Sequence, residues 1–413
     1  MKPKILFKGF EDDVWISSQF EEIFELIKNN SLSRAELSSE GRIGNIHYGD
    51  VLVKYGECLD TSSDSITYIR NDEIGEDLYR RGALKSGDII FADAAEDNTV
   101  GKCSELICND EEQIVSGLHT IACRPKIEIT KRYLGYYLNS NAYHNQLLPH
   151  IQGTKVSSIS RKAIVTTSIV YPFAQRVQEL IATYFYRLDN LISTSTSRLA
   201  SLKQVKEASL QAMFPQKGET VPKIRFKGFE GEWVITKAAE IFKTVNERNF
   251  SGLPVLSATQ DKGMVTRESI GYNIFHDKAN ESTYKHIRPG QFVMHLRSFQ
   301  GGFAHSAIEG ICSPAYTIME FKDKEVNHDL YWKYVLASKH FIKSLEMITY
   351  GIRDGRTISF DEFKEMVFLV PKVEEQQHIA SYFTSLDKQI ALQTQRLEKL
   401  RQIKAACLDK MFV

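Results

Sequence analysis

"PKIRFKGFEGEW" runs from Pro222 to Trp233, and "PKILFKGFEDDVW" runs from Pro3 to Trp15. A chain of 413 residues therefore opens twice with nearly the same words. The far ends repeat as well. "QELIATYFYRLDNLISTSTSRLASLKQVKEASLQAMF" (Gln178 to Phe214) aligns without a gap with "QQHIASYFTSLDKQIALQTQRLEKLRQIKAACLDKMF" (Gln376 to Phe412), 198 positions further on. Each follows a proline-containing strand end, "IVYP" at Ile169 to Pro172 and "FLVP" at Phe368 to Pro371. The plan is A–B–A′–B′, with expected boundaries at 1–170, 171–215, 216–370 and 371–413. Two copies fall short of the three or more that a solenoid needs, and the length suits a few separate domains.

The B segments read as helices. Ile181, Phe185, Leu188, Ile192, Leu199 and Leu202 fall at alternating steps of three and four, and so do Ile379, Phe383, Leu386, Ile390, Leu397 and Leu400. That rhythm is the seam of a coiled coil. One seam position is polar in each copy, Ser195 and Gln393, which weakens packing but can fix register. No proline interrupts Pro172 to Pro215 or follows Pro371, so each helix can run about 38 residues, roughly 57 Å. The stripe suits either the other long helix or the helix's own A segment.

The A segments read as strand-rich. "GDVLVKYG" (Gly49 to Gly56) and "SGDIIFADAA" (Ser86 to Ala95) each set a Gly-Asp turn before a β-branched run. In "GQFVMHLRSFQGG" (Gly290 to Gly302), Phe292, Met294 and Leu296 alternate with Val293, His295 and Arg297, a strand whose one face turns polar near its end. The class expected is α+β: two strand-rich domains, an internal repeat with pseudo-two-fold character, and two long helices. The frame repeats while the middles differ, as two different ligands would require.

Composition narrows the function. Hydrophobic residues make up 42% and charged residues 25%, with 52 basic against 52 acidic side chains. Net neutrality argues mildly against a nucleic-acid binder but does not exclude one, because phosphates meet local clusters. No apolar run is long enough to span a membrane, and "MKPKILFKGFEDD" is not a secretory signal. Cys58, Cys103, Cys108, Cys123, Cys312 and Cys407 are scattered without a C-x-x-C; they read as reduced thiols of a cytoplasmic protein, not a disulfide frame or a metal site. No phosphate-binding loop, dinucleotide fingerprint, N-P-P-[FYW] methylase motif, H-E-x-x-H or G-x-S-x-G is present. The expectation is a non-catalytic chain that binds neither metal nor cofactor itself. The acidic pair Glu374-Glu375 sits where a helix N-terminus favours negative charge.

Two loops stand in matching places before the last strand of each A segment. "QGTKVSSIS" (Gln152 to Ser160) carries Lys155, Ser157 and Ser158; "YGIRDGRTIS" (Tyr350 to Ser359) carries Arg353, Arg356 and Thr357. Glycines allow close backbone approach, and cations with hydroxyls suit phosphate oxygens. The same composition also suits a plain solvated turn. In the Gly290–Gly302 stretch, His295, Arg297, Ser298 and Gln300 can reach base edges, since Arg pairs with guanine and Gln with adenine; a plain polar surface remains open as well.

The duplicated opening, the Gly-Asp strand starts, the glycine loops and the "P…Q–IA-YF–LD" helix starts resemble type I restriction-modification specificity subunits, over essentially the whole chain. The resemblance implies two target recognition domains, each reading one half of a split double-stranded DNA site. It implies that the two helical regions pair as an antiparallel coiled coil, set the spacer and dock two modification subunits. Those subunits supply adenine-N6 methylation with S-adenosylmethionine, and two restriction subunits, where the system has them, add ATP- and Mg-dependent translocation and cleavage. Two other classes stay open: a stand-alone DNA-binding regulator and a two-headed protein scaffold.

Overall fold

The computed structural model describes residues 2–153, 155–216, 218–259, 262–270, 278–294, 302–348 and 359–413. The chain divides into two units, residues 1–197 with 395–413, and residues 198–394. Each unit therefore holds one A segment, the start of the helix that follows it, and the end of the other long helix. The two long helices are Gln175–Ala212 and Val373–Lys410, 38 residues each.

In the first unit, Trp15–Gln19 pairs antiparallel with Ser168–Pro172 and closes the domain at the foot of its long helix. A five-stranded sheet runs in the order Phe24–Ile27, Thr120–Pro125, Ile89–Ala92, Cys103–Ile107, Cys58–Asp60. A four-stranded sheet runs Gln113–Ser116, Ile43–Ile46, Thr67–Ile69, Leu37–Ser38. "GDVLVKYG" departs from the strand expected of it: Tyr48–Val53 is helical. The His47 ring nitrogen Nδ1 accepts from Gly49 N at 3.2 Å, and Val51 and Tyr55, one turn apart, are both buried while Val53 lies in solvent. A period of four thus outweighs the β-branched run.

Helix Tyr133–Leu138 is buried along its whole length and forms the platform on which the long helices sit. Its first turn is capped from beneath. Fully buried Glu105 accepts from the backbone N–H groups of Arg132 and, at 2.8 Å, Gly135. Burial pushes the Glu105 carboxyl up to about 7 despite those donors. A side chain at Gly135 would stand 2.2 Å from the Glu57 carbonyl oxygen, so the close approach needs glycine.

In the second unit, Val234–Lys237 pairs antiparallel with Val367–Val370. One four-stranded sheet runs Phe242–Val245, Thr317–Phe321, Phe292–Met294, Phe303–His305; another runs Gly263–Thr266, Val255–Thr259, Gly310–Cys312, Lys285–Ile287. The core gathers Trp233, Phe242, Phe292, Tyr331, Trp332, Phe363 and Phe383. Glu375 is buried beneath Arg225, which grips it through two hydrogen bonds of 2.9 and 2.7 Å; that pairing adds to the helix-end role expected of it.

Within each unit the two helix segments run antiparallel. In the first, Tyr184 meets Cys407 (3.4 Å), Asp189 meets Lys404 (2.6 Å) and Phe185 stacks on Phe412 (5.8 Å between centroids). In the second, Tyr382 meets Ser209 (2.9 Å), Asp387 meets Lys206 (2.5 Å) and Phe383 stacks on Phe214 (6.0 Å). Ile181, Phe185, Leu188, Ile379, Phe383, Leu386 and Leu397 are buried, while Ile192, Leu199, Leu202, Ile390 and Leu400 are half-buried. Ile181 and Phe185 pack into the core of their own A segment as well as against the far helix's end, alongside Tyr133, Tyr136 and Tyr137. The start of each stripe thus serves both partners that the sequence left open.

No helix among the described residues is long and apolar enough to cross a membrane. All six cysteines are free thiols.

Candidate nucleic-acid interface

The junction of head and helices is built twice from the same parts. Gln178 accepts from Thr130 N through Oε1 (3.0 Å) and donates to Pro172 O through Nε2 (2.9 Å). Gln376 does the same with His328 N (2.9 Å) and Pro371 O (3.0 Å). The Tyr136 hydroxyl donates to Asp189 at 2.7 Å, and the Tyr334 hydroxyl to Asp387 at 2.8 Å. Ile5 N donates to Lys410 O, and Ile224 N to Ala212 O, both at 3.0 Å. That last pair explains the doubled opening: each "PKI" ties the chain down beside the end of a long helix.

What the junctions carry differs. In the first head the loop predicted from "QGTKVSSIS" folds back on itself, and Gln152 and Ser158 exchange backbone hydrogen bonds of 3.0 and 2.8 Å. Gly153 adopts φ 103°, where a Cβ would lie 2.0 Å from the Val156 carbonyl oxygen. Ser157–Ser158 pairs antiparallel with Ala94–Ala95. Lys155 and Ser158 are exposed and Ser157 is half-buried, so this glycine turn presents a cation and a hydroxyl outward.

Sequence reasoning missed the neighbours of that loop. Asp93 N donates to His119 O (3.0 Å), and Ile159 N donates to Asp93 O (2.9 Å). The Asp93 carboxylate also meets His119 Nδ1 at 3.1 Å, and the Tyr48 ring lies edge-on to the imidazole at 5.3 Å. His119, Asp93 and the Lys155 loop therefore share one edge of the head. They come from segments without a common period, so no pattern joins them. The one local hint is Gly117, two residues before His119 in a turn that holds the histidine at φ 54°.

In the second head, His295, Arg297, Ser298, Gln300, Arg353, Arg356 and Thr357 lie outside the described residues. Their supports can be described. Phe292–Met294 is a buried strand; Phe292 and Met294 enter one core and Val293 another, so the face that was expected to turn polar is apolar at Val293. His305 Nε2 meets Asp329 Oδ2 at 2.7 Å, and that hydrogen bond holds the Asp329 carboxyl below its ordinary value. His286 is buried between Glu247 (3.2 Å) and Glu309 (2.8 Å), with Phe250 stacked on it at 3.9 Å. Among the described residues no group of three or more His, Cys, Asp or Glu side chains could hold a metal ion.

Residues 230–402 match the family described as Type I restriction modification DNA specificity domain. No curated protein matches the chain. Among solved structures, the type I restriction-modification system S subunit from M. genitalium is similar at a TM-score of 0.61 and 13% identity, with 100% of this chain and 99% of that one covered. A chain from work on complex assembly and conformational transition of the type I R-M system is similar at a TM-score of 0.52 and 16% identity, with 99% of each covered. The second copy of the repeat thus matches the Type I restriction modification DNA specificity domain, and the chain shares over its whole length the fold of these solved structures.

Proposed function

We propose that residues 1–170 and 216–370 are two target recognition domains, each reading one half of a bipartite double-stranded DNA site. The regions 171–215 and 371–413 act as an antiparallel coiled coil that holds the heads a set distance apart and docks two modification subunits. The observation that carries this is the junction built twice from matched residues under heads of different sheet structure. A repeated frame with unlike surfaces suits one partner type on the frame and two different sequences under the heads. Leu191, Val205 and Leu392 stand exposed on the long helices and offer apolar anchors to partner helices.

S-adenosylmethionine, and ATP with Mg where restriction subunits are present, belong in this reading to the partners. Half-sites facing one side of B-DNA lie about one turn apart, roughly 34 Å, a span that helices of roughly 57 Å can govern. Adding seven residues to both helices at matched points keeps the heptad phase and lengthens the pair by roughly 10 Å, about three base-pair steps. The half-sites should keep their sequences while the unread spacer grows. An active complex that retains its original spacer contradicts the ruler. A regulator acting alone would bind DNA tightly without modification subunits, and a protein scaffold would not shift DNA even with them.

A further inference from the structure

We propose that His119 is a specificity-determining residue of the first head and that it recognises an amino group on a base edge. This rests on the reading of that head as a DNA reader. The turn around His119 is fixed on all sides. Gly117 N donates to Ile46 O (2.8 Å), the Thr120 hydroxyl donates to Gly117 O (2.6 Å), and Asn29 Nδ2 donates to Thr120 O (2.9 Å). Tyr48 N donates to Leu118 O (3.3 Å), and Asp93 N donates to His119 O (3.0 Å).

These bonds hold His119 at φ 54°, a left-handed conformation that side chains resist unless the surroundings impose it, and such residues gather at functional sites. The side chain nonetheless stands 52% exposed. A buried turn is thus arranged to present one imidazole to solvent.

The ring's chemistry follows from its partner. A carboxylate oxygen only accepts, so Asp93 keeps the proton of the neutral imidazole on Nδ1 (3.1 Å). Nε2 is then a lone-pair acceptor, and among the described residues it has no hydrogen-bond partner. In the major groove the donors are the adenine N6 and cytosine N4 amino groups, whereas guanine O6 and thymine O4 are acceptors and would meet Nε2 lone pair to lone pair. Exposed Lys155 on the adjoining turn is placed for the phosphate backbone beside that base.

The test is methylation mapping of the assembled complex of full-length chain and modification subunit, with His119 intact or changed. His119→Gly removes the ring and relieves the left-handed strain, so the fold is kept. One adenine or cytosine position of the first half-site should become degenerate, with discrimination falling about ten- to a hundredfold, while the second half-site and the spacer stay as they were. Asp93→Ala frees the ring and should relax the same position in part. His119→Lys, a donor only, should turn the preference there toward guanine or thymine. An unchanged motif in His119→Gly, or an even weakening at all positions, overturns the proposal. A complex with intact His119 that yields no split motif instead overturns the reading of the head.

Discussion

The two junctions share a Tyr–Asp–Lys cluster but embed it differently. In the second unit, Asp387 is the one carboxylate that Lys206 meets among the described residues, and 29% of the Lys206 side chain is exposed. In the first, Lys404 bridges Asp189 (2.6 Å) and Glu57 (2.5 Å), and 16% of its side chain is exposed. Although burial opposes its charge, Glu57 and Asp189 raise the Lys404 pKa and hold it protonated. Glu57 belongs to the head, so the first unit draws its own A segment into an ion cluster that, among the described residues, the second makes between the helices and Tyr334. The frame is common property, and each head is free to add to it or not.

Removing the shared lysine breaks this comparison most sharply. Lys404→Met leaves two half-buried carboxylates, Glu57 and Asp189, facing each other without a cation and should cost about 2–4 kcal/mol. Lys206→Met strands one carboxylate, Asp387, with no second carboxylate facing it among the described residues, and should cost about 1–2 kcal/mol. Denaturant unfolding of both variants decides; equal losses would show that Glu57 adds nothing.

Next in size is a pH effect confined to the first unit. The Glu105 pKa, raised by burial to about 7, means that the folded state keeps its proton after the unfolded chain has lost it. Stability contributed by this group is therefore full below about pH 4.5 and falls through pH 7, by up to about 1.4 kcal/mol per pH unit. Glu105→Gln should flatten that slope in unfolding curves taken at several pH values. A slope as steep as in the unmodified chain would place its origin elsewhere.

Gly135→Ala sharpens the same contrast. Its Cβ would press on the Glu57 carbonyl, at a cost of about 1–3 kcal/mol, whereas the position 198 further on is already Lys333 and half-buried. Thermal unfolding should show the loss. The smallest effect is at the exposed turn: Lys155→Ala should leave stability untouched and make the salt dependence of DNA binding by the assembled complex shallower by about one unit of log–log slope. An unchanged slope would return this turn to ordinary surface.

Much of the fold was legible in the sequence because it is periodic or repeated. The 198-residue offset, the helical rhythm and the proline-free stretches lead directly to two 38-residue helices. Even Asp189, Asp387, Lys206 and Lys404 stand aligned in the quoted repeats, although nothing local shows that they pair. Glu57 with Lys404, 347 residues apart, and Asp93 with His119 are contacts made by tertiary folding alone. The helix Tyr48–Val53 was misread because its β-branched residues suggest a strand, and its cap and burial decide otherwise. The first head's turn was legible through Gly153; the histidine beside it was not.

The central claim is that two unlike heads on a repeated frame read two half-sites. Co-expressing the chain with a modification subunit and mapping methylated adenines across the genome tests it most directly. The account predicts a single split motif, with two unrelated half-sites flanking an unread spacer of constant length. A contiguous motif, or an assembled complex that methylates without sequence preference, would contradict it.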